Sequence, residues 1–163
     1  MSKVEVLMSI MSQNAEEIIK RTNIKSPAVV VNQCDRNDRK NIIINEYNVN
    51  YIDNTDRGLS KSRNLAIQEA KGEYCLLCDD DEVLDDDHVE KIEAAFRKYT
   101  DADIICFIIT RDKKKYPQHN LRINYLNSLR ISSVQMVIKR TSIINNNIKF
   151  DENFGAGSPN GAG

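Results

Sequence analysis

Glu73-Tyr74-Cys75-Leu76-Leu77-Cys78-Asp79-Asp80-Asp81 is the stretch whose reading decides the fold. Its first part is a short apolar strand, and that strand runs straight into three carboxylates. In an open α/β sheet, ligands bind in the crevice beyond the carboxyl ends of the strands. Three adjacent anions there repel one another unless something positive joins them. A hard divalent cation, Mn²⁺ or Mg²⁺, takes carboxylate and phosphate oxygens and is the expected neutraliser. Just upstream, Gly58-Leu59-Ser60-Lys61-Ser62-Arg63-Asn64-Leu65-Ala66 supplies a turn, a helix start and a fixed cation. Asp56-Arg57-Gly58 is a turn signal. Ser60 is a candidate cap for a helix reaching Ala70, and Gly72 stands where a C-terminal cap would.

Together, residues 58–81 resemble the heart of glycosyltransferase family 2, the nucleotide-sugar-dependent enzymes with a GT-A fold. The matching features are the Gly-x-x-x-x-Arg-Asn helix start, the approach Ala70-Lys71-Gly72-Glu73-Tyr74 and the acids after the strand. A second match lies downstream, at Phe150-Asp151-Glu152-Asn153-Phe154-Gly155-Ala156-Gly157-Ser158. The resemblance runs over nearly the whole chain. It implies an α/β fold, a Rossmann-like, mostly parallel central sheet flanked by helices, in one domain over residues 1–163.

Composition agrees with a soluble globular domain: 163 residues, 40% hydrophobic and 29% charged. The net charge of −1 provides no whole-protein field that points to nucleic acid or anionic lipid. The first residues lead directly into a strand pattern with no secretory apolar region. The longest apolar run, residues 104–109, is too short to span a bilayer. The expectation is a cytoplasmic chain without a transmembrane segment, with membrane association through a missing part or a partner left open. Cys75 and Cys78 have C-x-x-C spacing, but strand alternation points them to opposite faces, so they read as small buried residues.

Taken in order, residues 4–10 read as a central strand. Asn14 with Glu17 has the pattern of a capping box before a helix over residues 15–22. Residues 28–32 form a second buried strand, and residues 33–40 a polar loop. Residues 41–45 and 48–53 are two further strands joined near Glu46 and Tyr47. Asp87 with Glu90 suggests another capping box, before a helix whose stripe is Val89, Ile92, Phe96 and Tyr99. His88 is then a surface residue of its first turn. Residues 103–110 and 133–139 read as strands, with a short helix near residues 141–145. Residues 111–117 form a basic turn, and Gly155, Gly157, Gly161 and Gly163 suggest a mobile loop.

The resemblance also implies roles. Nucleotide-sugar contacts fall on Ser9 and Met11 at the end of the first strand, and on Asn32, Gln33 and Asp35 after the second. Family members usually carry an aspartate after that strand; here Asn32 and Gln33 stand in its place, able to pair with a base edge through their amides. Arg63, Asp79 and Asp80 complete the donor set, with the metal on Asp79, Asp80 and Asp81. Asp79 with Asp81 is the D-x-D register, and Asp80 is the alternative ligand. Arg63 is expected in a solvent-facing first helical turn, held by one carboxylate and facing the diphosphate.

The implied reaction is inverting transfer from a nucleotide-diphosphate sugar, UDP-sugar favoured, to a glycan or lipid-linked acceptor in polysaccharide biosynthesis. Family members place the general base in a Gly-Glu-Asp or Gly-Glu-Glu segment beyond the glycine-rich loop. The chain ends at Gly163, so it reads as a truncated form without that base, and Asp151 and Glu152 lie too early to match it. Two other functions compete. A nucleotidyl- or phosphotransferase expects a glycine-rich, basic loop after the first strand, and residues 9–14 have neither glycine nor lysine. A receiver-like binding module expects acids after the first and third strands, not after a later one.

Overall fold

β1 (Val4–Met11) lies at the centre of a sheet whose order is β3-β4-β2-β1-β5-β7-β6. The other strands are β2 (Ala28–Gln33), β3 (Asp38–Ile44), β4 (Tyr47–Asn54), β5 (Tyr74–Cys78), β6 (Ile104–Cys106) and β7 (Met136–Lys139). The structure is a computed structural model that describes residues 2–109, 116–117 and 119–158. β4, β2, β1 and β5 run parallel. β3 and β7 are antiparallel to β4 and β5, and β6 is antiparallel to β7. The sheet is thus parallel at its centre and antiparallel at both edges.

Both faces of β1, β2 and β5 are covered, which is why their sequences are largely apolar runs. One face packs Val4, Val6, Met8 and Val30 against Ile18 and Ile19 of α1 (Ala15–Arg21) and Ile92 and Phe96 of α3 (His88–Lys98). The other packs Leu7, Val29, Val31 and Leu77 against Ala66 and Ile67 of α2 (Leu59–Glu69) and Ile143 of α5 (Arg140–Asn145). A short α4 (Tyr125–Ser128) forms in a stretch where the sequence pattern suggested no element. Tyr74 stacks on Phe96 at 4.2 Å between ring centroids. Cys75 and Cys78 fall in the two different cores, as alternation requires. All four cysteines are free, and burial pushes the Cys75 thiol up to about 12.

Several element boundaries differ from those read in sequence. β3 and β4 are longer than residues 41–45 and 48–53, because hairpin pairing recruits polar residues at an edge where their side chains stay in water. Asn45 and Glu46 both have positive φ, 49° and 71°, the geometry of a two-residue hairpin turn. The supposed loop 33–40 is therefore shorter, since Gln33 ends β2 and Asp38 begins β3. The strand expected over residues 103–110 pairs only at Ile104–Cys106, and Thr110 lies outside the described residues, as do residues 111–115 of the basic turn. Residues 133–135 form a 3-10 turn before β7. Asn14 does cap α1, accepting from the amides of Glu16 and Glu17 at 2.9 and 3.3 Å.

Gly72 is not a helix cap. α2 ends at Glu69 with Ala70 as its C-cap, and the chain then passes against β1 so closely that a Cβ on Gly72 would lie 2.6 Å from Glu5 Cβ. The buried Glu5 carboxylate accepts from the amides of Lys71 and Gly72 at 2.5 and 2.6 Å. This clamp fixes where α2 exits and where β5 begins. Asp87 likewise makes no side-chain cap of α3; Asp85 and Asp87 instead pair with Lys91 at 2.7 and 2.8 Å.

His88 is buried, 6% exposed, rather than a surface residue. Its Nδ1 lies 2.8 Å from the Asp85 carbonyl, which accepts, and its Nε2 has no partner among the described residues. Burial lowers its pKa, because a charged ring there would lack solvent.

Two outcomes follow from this packing. Gly72→Ala forces overpacking against Glu5 and should destabilise the chain by about 1–3 kcal/mol in urea unfolding. His88 binds its proton more readily unfolded than folded, so stability present at neutral pH should fall as pH drops below about 6.5, the ordinary histidine value. Melting temperatures measured between pH 7.5 and 5.5 should show that slope in the wild type and a shallower one in His88→Asn.

Candidate functional site

The carboxyl ends of β1, β2, β4 and β5 open at one edge of the sheet, and polar side chains gather there on both faces. On the α2 face, alternation places Ser9 beyond Leu7 and Asp79 beyond Leu77. Arg63 enters this space from α2. Its Nη2 donates to Asp79 Oδ1 at 2.9 Å, and its guanidinium carbon lies 5.8 Å from the centroid of the Phe150 ring. The Arg63 side chain is only 10% exposed against 36% for Asp79. The expected carboxylate partner is present, but Arg63 is a buried cation, not a solvent-facing one. The Ser9 hydroxyl is buried and has no hydrogen-bond partner among the described residues. Met11, at the very end of β1, is exposed.

The α2 N-terminus is organised differently from the expectation. Gly58, at φ 122°, is the residue before the first helical one, and its amide donates to Gln33 Oε1 at 2.8 Å. Ser60 is not the cap; its hydroxyl donates to the Phe154 carbonyl at 2.8 Å. Residues 150–158 wrap this helix start. Leu59 N donates to Ala156 O at 3.0 Å, while Asn64 donates to Phe150 O and accepts from Phe150 N at 3.0 and 2.8 Å. Gly155 and Gly157, at φ 100° and 79°, allow the tight turns that bring this segment against Gly58 and Ser60. Up to Ser158 the glycines therefore fasten the loop rather than free it; Gly161 and Gly163 lie outside the described residues. Glu152 accepts from Asn64 at 3.2 Å, and Asp151 accepts from the amide of Asn153 at 2.9 Å.

On the α1 face a second network forms. Asn32 is 3% exposed; its Oδ1 accepts from Gln13 N at 3.2 Å and its Nδ2 donates to Asp53 Oδ1 at 2.6 Å. Arg36 Nε donates to Asp53 Oδ2 at 2.5 Å. Burial pushes the Asp53 carboxyl up, but the hydrogen bonds from Asn32 and Arg36 outweigh it and hold the group below the usual range. Burial, with the Asp53 charge nearby, pushes Tyr51 up to about 12. Tyr51 donates to the Gln13 carbonyl at 2.6 Å. Asp35 is exposed and pairs with Arg57 at 2.5 Å.

The acidic turn closes the crevice. Glu82 N donates to Asp79 O at 3.3 Å, so the three aspartates ride on one turn. Asp80 accepts from Gln13 Nε2, and its backbone carbonyl accepts from Arg21 Nη2 at 2.9 Å. Asp81 is exposed, with no side-chain hydrogen bond or ion pair among the described residues. Among the described residues no three His, Cys, Asp or Glu side chains converge on a point that could hold a metal ion by themselves. Gln13, Arg21, Arg36 and Asp53 were not singled out in sequence. Asp53 was legible in principle as an acid at the end of an apolar strand; Gln13 carried no signal.

A model of the family described as glycosyl transferase family 2 matches residues 9–158. A comparison with curated protein sequences finds no match. The crystal structure of S. aureus TarS 1–349 is similar over 91% of this chain and 50% of its own, with 19% identity and a TM-score of 0.65. TarS 1–349 in complex with UDP-GlcNAc is similar over 94% of this chain and 51% of its own, with 18% identity and a TM-score of 0.64. Its complex with UDP gives 91%, 51%, 18% and 0.62. This chain spans about half the length of TarS 1–349. The likeness bears out the expected GT-A architecture.

The buried Arg63 yields a direct test. Arg63→Met removes a charge-assisted bond worth about 1.5–3 kcal/mol, so the variant should lose stability of that order as well as any anion affinity. Urea unfolding of Arg63→Met beside Arg63→Lys measures the first effect. Equal stability of Arg63→Met and wild type would show that the pair with Asp79 contributes nothing to the fold.

Proposed function

The chain belongs to glycosyltransferase family 2, and from that premise we propose that it binds a nucleotide-diphosphate sugar where β1, β2, β4 and β5 end and transfers the sugar to a glycan or lipid-linked acceptor. The observation that carries this reading is the Arg63–Asp79 pair beside Asp80 and Asp81: a fixed, largely desolvated cation next to carboxylates at the open end of parallel strands. A guanidinium there suits the charge that grows on a leaving diphosphate. The Ser9 hydroxyl, on the same face of the sheet, is buried with no hydrogen-bond partner among the described residues and is a candidate further donor. Asn32 and Gln33 support the nucleoside end, although their amides also bond to Asp53, Gln13 and Gly58. S. aureus TarS has been solved with UDP-GlcNAc and with UDP, which favours a UDP-sugar for this chain.

The acidic turn fits a divalent ion. Asp79 and Asp80 are partly exposed, and Asp81 presents a carboxylate with no partner among the described residues. Lacking a preformed three-ligand cage, such a turn suits Mg²⁺ or Mn²⁺, which take one or two carboxylates and complete their shell with phosphate oxygens and water. When bound, the ion would supply Lewis-acid stabilisation of the leaving group. Arg63 holds Asp79 in place, and Gln13 with Arg21 holds Asp80. Direct displacement at the anomeric carbon, with inversion, also needs a carboxylate base for the acceptor hydroxyl. No helix among the described residues is long and apolar enough to cross a membrane.

Calorimetry with UDP, GDP and UDP-GlcNAc in Mn²⁺, Mg²⁺ or EDTA tests the proposal. Binding of a uridine nucleotide that requires metal, and that Asp81→Asn and Asp79→Asn weaken by about tenfold or more, is the expected result, given roughly 1.5–3 kcal/mol per charge-assisted contact. Binding that ignores metal, or none with any nucleotide tried, would overturn it.

A further inference from the structure

Gln13 sits where the two halves of the site meet, and all of its polar groups are engaged. Its main chain is anchored on the nucleoside side: the amide donates to Asn32 Oδ1 at 3.2 Å and the carbonyl accepts from Tyr51 Oη at 2.6 Å. Its side chain reaches the other way. Nε2 donates to Asp80 Oδ2, and Oε1 accepts from Arg21 Nη2 at 3.2 Å. Arg21 closes the circuit by donating to the Asp80 carbonyl. The preceding residue, Ser12, adopts φ 51°, a left-handed conformation unusual outside glycine and asparagine. Its amide still bonds to Gln33 O at 3.2 Å, so the chain leaves β1 and turns sharply there. That turn sends Gln13 across the ends of β2 and β4.

We propose that Gln13 is a positioning residue: it ties the acidic turn of residues 79–82 to the buried Asn32–Asp53 pair and so sets where Asp79 and Asp81 present their carboxylates. The consequence is that the nucleoside end and the metal-diphosphate end are one mechanically linked site. An amide suits this role better than a carboxylate. Its two ends differ, so it can donate to Asp80 and accept from Arg21 at once. A glutamate there would face Asp80 as a like charge. The inference rests on the nucleotide-sugar reading for its effect on ligand, but the link between Gln13 and the turn exists without ligand.

Gln13→Met tests it, because Met keeps the length of the side chain and leaves both backbone anchors intact. In Gln13→Met the Mn²⁺ concentration needed for UDP binding should rise about tenfold, within the range usual for coupled sites, with little change in melting temperature. Asp80→Ala should give a similar rise, and the double variant no more than Asp80→Ala alone, since Gln13 acts through Asp80. An unchanged Mn²⁺ midpoint in Gln13→Met, or effects that simply add, would overturn the proposal. Amide hydrogen exchange of residues 80–82 in the ligand-free chain is the second arm. Faster exchange in Gln13→Met supports the link, and equal rates overturn it. Should the wild type bind no nucleotide, the transferase reading fails by itself and the exchange rates alone decide the role of Gln13.

Discussion

β1 hydrogen-bonds in parallel to β2 on one side and to β5 on the other, with its side chains buried on both faces. The rest of the structure depends on this arrangement. Parallel neighbours need crossovers, and the crossover helices must cover the sheet. α1 therefore lies on one face and α2 on the other, and every parallel strand delivers its carboxyl end to the same edge. Polar groups can collect there because the apolar interior stops there. The site is a consequence of strand direction before it is a consequence of any particular side chain.

Buried polar groups then hold this frame in register. Glu5, itself buried, clamps the α2–β5 connection by accepting the backbone amides of Lys71 and Gly72. Asp53 does the same kind of work between β2 and β4, held by Asn32 and Arg36. Arg63 is the counterpart on the α2 face, pinned by Asp79 and lying near the Phe150 ring. Each of these groups is costly to desolvate and tolerable only because its partners are in place. Losing one partner would disturb the geometry of the crevice, not only local stability.

Residues 150–158 join the fold to its site. They bond to the first turns of α2 through Leu59, Ser60 and Asn64. The same helix carries Arg63, so a distant part of the chain fixes the start of the helix that presents the cation. The glycines there permit a close backbone approach, with Gly157 packed against Gly58.

Much of this was legible in sequence because it is local. Continuous apolar runs marked β1, β2 and β5, and the junction of strand and acids at Asp79 marked the open edge. The motif spacing placed Arg63 and Asp79 in one crevice, and they do meet. Asn14 capped its helix because the residues involved are neighbours in the chain. Other features required tertiary contacts and carried no local signal. Gly72 looks like a cap until Glu5 is seen against it. Ser60 looks like a cap until Phe154 takes its hydroxyl. His88 stands in an acidic, polar stretch, yet packing buries it. Gln13 is an unremarked polar residue in sequence; only the approach of β2, β4, the acidic turn and the end of α1 gives it four partners. Sequence determines what a segment prefers by itself, whereas the contacts that override those preferences come from residues tens of positions away, and only the folded chain brings them together.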